Sequence, residues 1–198
     1  MAIPDANFKT WLTSGNATGS DGGGAQNNPD DSLGGWRSTT EVSLSVGNLF
    51  ETYSTGELTA STRYRCVALT MDHATAEVTT PTLFAQYLTG LKANMTATYG
   101  MMTNDTSTVS PVCTDTVAPA GITFFTPFDE TGDATVDQAG GRPLGPLNTD
   151  SDGSTDLTQD DSIVIFLYIK IVSAGASGVF TDGVDNRIGI ATAGTDSI

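Results

Sequence analysis

The most strongly patterned stretch of the chain is Ser162 to Val172, SIVIFLYIKIV, rich in β-branched and aromatic residues and bounded by Asp160, Asp161 and Gly175. Side chains of an extended strand alternate between two faces, so Ile163, Ile165, Leu167, Ile169 and Ile171 project to one side and Val164, Phe166, Tyr168 and Val172 to the other. A sheet with one wet face would leave one of these sets in water, so the strand must be central or lie at an interface. Thr62 to Met71, TRYRCVALTM, has the same two-sided character. Val67, Leu69 and Met71 share one face and Tyr64, Cys66 and Ala68 the other, while Arg63 and Arg65 are expected to mark a solvated start. Weaker strand signals occur at Glu41 to Ser45 (EVSLS) and in NMTATYGMMT from Asn94. Another runs from Arg187 to Ala193, where Ile188 and Ile190 are expected to face inward in a terminal hairpin with the Ser162 strand. The segment TLFAQYLTGLK after Pro81 places Phe84, Tyr87, Leu88 and Leu91 at helical spacing and fits either a short helix or a strand.

Between these elements the chain is polar and rich in turn formers. Residues 14 to 35, SGNATGSDGGGAQNNPDDSLGG, contain almost nothing to bury and predict a long surface loop or an interaction arm. The Pro and Gly run at Gly140 to Pro146 predicts another loop. Many short strands with at most one short helix define an all-β chain, an antiparallel β-sandwich of Ig-like or jelly-roll-like type with a long polar N-terminal loop or arm. Residues 1–40 form the N-terminal segment in this scheme and 41–198 the sandwich, within the span of a single domain.

Composition narrows the function classes. Asp and Glu number 23 against 8 Lys and Arg, a formal charge of −15, which repels nucleic-acid phosphates, so no nucleic acid is expected as a partner. No run approaches the ~20 apolar residues of a membrane helix, and MAIPDANFKTW lacks the basic and apolar parts of a signal peptide, so a cytosolic product and no membrane partner are expected. Cys66 and Cys113 are a pair that could bridge, although buried reduced thiols are the expected state.

Candidate chemistry is sparse. His73 stands alone in MDHAT with neither a nucleophile pattern nor a second His for a metal, and no phosphate-cradling loop occurs. No catalytic residue and no cofactor are therefore assigned, and no enzymatic activity is expected. Asp150, Asp152 and Asp156, followed by Asp160 and Asp161, offer hard oxygens to calcium, but their spacing departs from an EF-hand loop and a solvated turn explains them as well. The same carboxylates lack the shaped cleft that glycoside hydrolysis needs. Trp11 and Trp36 flank the polar segment, and Phe124, Phe125 and Phe128 crowd around Pro127. These five aromatics are core anchors or interface residues.

The run DSLGGWRSTTEV and then GNLFETYSTGELTASTRYRCVAL, with LGG, NLF and YRC as its recognisable pieces, resembles a group of virion structural proteins of tailed bacteriophages over roughly residues 30–70. DLTQDDSIVIFLYIKIVSAGASG and DNRIGIATAG are compatible with it. The resemblance implies a place in a virion assembled in the host cytoplasm, with the major capsid protein or other virion proteins and copies of itself as partners. The resemblance does not say which part of the particle; a head decoration or cement protein is the role expected first. A tail, neck or baseplate component comes next, then a glycan- or receptor-binding β-sandwich stacking sugar on Trp36, Tyr53 or Phe124 to Phe128, and last a cell-wall hydrolase.

Overall fold

The computed structural model describes residues 8–19, 24–42, 49–50, 62–71, 77–89, 95–104, 109–125, 142–146, 164–173 and 187–197. Among these residues the structure is all-β, apart from a single 3₁₀ turn at Pro29–Asp31. The strands are β1 (Phe8–Thr13), β2 (Arg37–Glu41), β3 (Thr62–Met71), β4 (Glu77–Thr89), β5 (Met95–Asn104), β6 (Arg142–Pro146), β7 (Val164–Ser173) and β8 (Arg187–Ser197). They form a five-stranded sheet in the order β2-β1-β3-β7-β5 and a three-stranded sheet in the order β6-β4-β8. All pairings are antiparallel.

The apolar ribbon lies inside the larger sheet. β7 is hydrogen-bonded to β3 on one side, with Cys66 opposite Tyr168, and to β5 on the other, with Gly100 opposite Tyr168. Val164 to Ile169 and Ile171 are all buried, so both faces of the strand are covered within one chain. One face joins Cys66, Ala68, Val164, Phe166 and Tyr168 into a cluster, against which Trp11, Met102, Ile122 and Phe124 pack. Ile165, Leu167, Ile169 and Ile171 lie on the opposite face, with Val67 across from Leu167.

Several expectations are corrected. β7 and β8 do not form a hairpin: β3 and β5 occupy both edges of β7, and β8 pairs along β4 in the other sheet. The segment after Pro81, which fitted helix or strand equally, is strand: Thr82 to Thr89 continue β4 between two partners. Gly140 to Pro146 is not wholly loop, since Arg142–Pro146 is β6, an edge strand whose prolines need not donate to a second neighbour. Of the strand expected at Glu41 to Ser45, Glu41 is the last residue of β2 (Arg37–Glu41), and residues 43–45 fall outside the described residues. β1 sits between β2 and β3, so residues 8–13 belong to the sheet itself. Arg65 is the largest departure: it is among the largest fully buried side chains of the described residues, not part of a solvated start.

Burial on both faces gives β7 a large share of the stability. Leu167→Ala is expected to cost about 2 to 5 kcal/mol, the range for truncating a fully buried Leu. Urea unfolding of wild type and variant measures it, and an unchanged midpoint would show that Leu167 is not in the core.

Candidate functional site

β1 pairs with β3 only as far as Leu12 opposite Val67, so β3 from Thr62 to Cys66 runs without β1 on that side and its backbone amides there need other acceptors. Two loop segments supply them. The Cys66 amide donates to the Ser32 carbonyl at 2.7 Å and the Tyr64 amide to the Asp115 carbonyl at 3.0 Å. The Cys113 amide donates to the Leu33 carbonyl at 2.8 Å, so both cysteines bracket the same two residues.

Hydroxyls lock this joint. The Thr13 amide donates to Ser32 Oγ at 2.9 Å, Ser32 Oγ donates to the Cys66 carbonyl at 2.5 Å, and the Gly34 amide donates to Thr13 Oγ1 at 2.8 Å. Gly34 has φ +90° and a Cβ there would collide with the Pro111 carbonyl, so this position requires glycine. Residues 14–35, expected to hold almost nothing that could be buried, bury Ser32, Gly34 and Gly35, while Asn16 to Gly19 are exposed. The base of the segment is closed by the Ser14 amide on the Trp36 carbonyl at 2.8 Å and the Gly15 amide on the Gly34 carbonyl at 2.9 Å.

Residues 109–125 then form a strap across the sheet. At one end the Ser110 amide donates to the Gly35 carbonyl at 3.2 Å, and Tyr168 Oη donates to the Pro111 carbonyl at 2.5 Å. At the other, Phe125 and Tyr99 exchange two backbone hydrogen bonds of 2.8 and 2.7 Å on the outer edge of β5. Between them the strap passes over β7, and Gly100 leaves the room that Ile122 and Thr123 occupy. Asp115 fastens the middle with a fork of charge: Arg65 Nη1 lies 2.6 Å from Oδ1 and Arg63 Nε 2.9 Å from Oδ2. Arg65 also donates through Nε to the Leu49 carbonyl at 2.7 Å and through Nη1 to the Tyr64 carbonyl at 2.7 Å, and its guanidinium lies 5.3 Å from the Phe50 ring centre.

Of the aromatics singled out in the sequence, the structure brings two to the core cluster. Trp11 packs on it, donates from Nε1 to Thr70 Oγ1 at 2.8 Å, and carries the Arg37 guanidinium 5.0 Å above its ring. Phe124 packs on it too, edge-on to Tyr64 at 5.8 Å and with the Lys170 ammonium 5.6 Å from its ring centre. Phe125 serves through its backbone at the strap end. Trp36 is half-buried; its backbone is tied to Ser14, and its indole N–H is buried with no acceptor among the described residues. Phe128, Tyr53, His73 and the calcium candidates Asp150, Asp152 and Asp156 lie outside the described residues. Among the described residues no group of three His, Cys, Asp or Glu side chains could hold a metal. No helix among them is long and apolar enough to cross a membrane.

Sequence reasoning missed Ser32, Asp115 and Tyr168, the groups that make the joint. Each is an ordinary polar residue in a turn or a strand, and only the fold reveals that their partners lie 34, 50 and 57 positions away. In contrast, LGG, NLF and YRC turn out to be neighbours. The backbone next to Leu33 receives Cys66, and Leu49 and Phe50 receive Arg65.

The thiols here are free and buried. Burial pushes Cys113 up to about 11, and it raises Cys66 well above its ordinary value, with the nearby Cys113 adding to the effect. Burial also raises Tyr168, reinforced by Cys66. A thiol with so high a pKa is almost entirely protonated at neutral pH and a poor nucleophile. Searches against family models, curated proteins and solved structures find no match to the chain.

Two outcomes are expected. Asp115→Ala leaves Arg65 buried without its carboxylate. Because the Asp115 side chain is itself 44% exposed, the cost is reduced from the fully buried case to about 1 to 3 kcal/mol, measurable by chemical unfolding. The second concerns the thiols. The folded state holds the Cys113 proton more tightly than the unfolded chain, from 9.0 to about 11, so this contribution to stability is complete below 9.0 and is lost as pH rises through 11. Thermal melting across that alkaline window should decline less steeply in Cys113→Ser. Native protein at neutral pH should meanwhile react with iodoacetamide far more slowly than unfolded protein.

Proposed function

We propose that this chain is a structural protein of a tailed-phage virion, a head decoration or cement module held on the particle by many repeated contacts with the major capsid protein and with its own copies. The observation that carries the reading is the convergence of the three motif pieces that resemble such proteins. Leu33 and its neighbours, Leu49 with Phe50, and Tyr64 to Cys66 meet in one joint built from backbone carbonyls, a buried guanidinium and hydroxyls. Residues that close a fold in this way serve a rigid scaffold, and a scaffold used at high copy number needs no single strong contact. Weak contacts made at symmetric sites reinforce one another through effective concentration.

In this reading the two sheets stack as an antiparallel sandwich, Ig-like or jelly-roll-like. Burial of Ile165, Leu167, Ile169 and Ile171 on the face away from the strap supports it, because that face needs a second layer. The exposed turn from Asn16 to Gly19 stands on a base pinned by Ser14, Gly15, Gly34 and Trp36, a fixed platform from which a polar loop reaches a neighbouring subunit. Tail, neck or baseplate placement uses the same scaffold. Sugar stacking has less support, since Arg37 lies over Trp11, and Tyr64 and Lys170 flank Phe124.

Quantitative mass spectrometry of purified particles tests the proposal. A decoration protein is present at a fixed, high ratio to the major capsid protein and is stripped from heads without dissolving the shell. A handful of copies that co-purify with tails would move the protein to the tail, and absence from purified particles would end the virion reading.

A further inference from the structure

The outer edge of a sheet is a row of backbone N–H and C=O groups that accepts another strand unless something blocks it. Of the sheet edges among the described residues, those of β2, β5 and β6 are blocked. On the side of β2 away from β1 the Thr39 amide donates to the Gly24 carbonyl at 3.1 Å, and on the side of β5 away from β7 Tyr99 exchanges backbone hydrogen bonds with Phe125. β6 is short and carries Pro143 and Pro146, which have no amide to donate. β8 differs. Among the described residues its strand partner is β4 on one side, with none on the other, and its sequence RIGIATAGTDS contains no proline. From Ile188 to Ala193 it runs opposite Tyr87 to Thr82 without a break of register. Successive residues of a strand turn their backbone groups to alternate sides, so about half of this stretch directs N–H and C=O away from β4.

We infer that the outer edge of β8 is a docking edge whose occupant is an extended, basic segment of a different polypeptide. The edge fixes the form of the occupant, because an extended backbone offers donors and acceptors at the spacing of the strand. Charge fixes its kind. The chain carries −15, and residues 182–198 hold Asp182, Asp185 and Asp196 against Arg187 alone. A second copy of this acidic chain is repelled there, whereas a strand bearing Lys or Arg is attracted. The inference stands on the sheet edges and goes beyond the virion reading, which names no edge and no chemistry for the partner.

Amide hydrogen exchange of the full chain, followed by NMR with synthetic strand peptides of matched length, is the test. One peptide alternates Lys with Val and Thr, and the other has Glu in place of Lys. The basic peptide should slow exchange of the outward amides within residues 188–193 about tenfold or more. Added salt should weaken that protection. Methylating the backbone nitrogens of the basic peptide should abolish it with the charge unchanged, and the acidic peptide should give none. Absence of protection by the basic peptide, or equal protection by the acidic or the methylated one, overturns the inference. Protection of all of 188–193 in the free chain at every protein concentration shows that the edge is already covered and overturns it. Protection that grows with protein concentration seats a second copy there and overturns the occupant. None of these results alters the particle stoichiometry by which the virion reading stands or falls.

Discussion

A strand that is apolar on both faces cannot be satisfied by one layer of sheet, and the organisation of this molecule follows from that demand at β7. Its edges are filled by β3 and β5, and the cluster of Cys66, Ala68, Val164, Phe166 and Tyr168 is roofed by Trp11, Met102, Ile122 and Phe124. The roof is unusual in being partly loop. An irregular segment can cover a core only if its own backbone groups find partners, and the strap meets this condition by borrowing sheet edges: the start of β3 at Asp115 and the outer edge of β5 at Phe125.

The joint at the start of β3 shows how a charge can be kept inside at tolerable cost. Arg65 is 2% exposed in its side chain, yet it meets a carboxylate, two carbonyls and an aromatic face. The planar guanidinium suits this fan of acceptors, where a lysine ammonium would satisfy fewer of them in fixed directions. Ser32 and Thr13 divide the remaining demand as donors and acceptors in a small space. Buried polar groups of this kind hold one arrangement of the loops against others, since any slip leaves several of them unpaired.

Much of the larger sheet was legible from alternation alone. β3, β5 and β7 lie close to where side-chain periodicity puts them, and the burial of β7 on two sides follows from its composition. The pairing of β8 was not legible, because a hairpin and a long-range partner demand the same alternation in the strand itself. β6 was hidden by Pro143 and Pro146, which read as a loop until an edge position is known. Arg65 looked like a surface residue because its partners, Leu49 and Asp115, lie 16 and 50 positions away. Of the candidate site, the aromatics Trp11 and Phe124 were visible and the hydroxyl joint was not, since threonine and serine give the same signal in a turn whether wet or buried.

The order of strands in space has a consequence for synthesis. β7 is the seventh of the eight described strands to be made, yet it lies between β3 and β5 in the larger sheet. While the nascent chain emerges from the ribosome, β3 and β5 wait with their inner edges unpaired until residues 164–173 clear the exit tunnel. Such high contact order slows folding and exposes the early strands to aggregation, so the abundance of Asp, Gly and Asn in the intervening chain also serves to keep an unfinished polypeptide in solution.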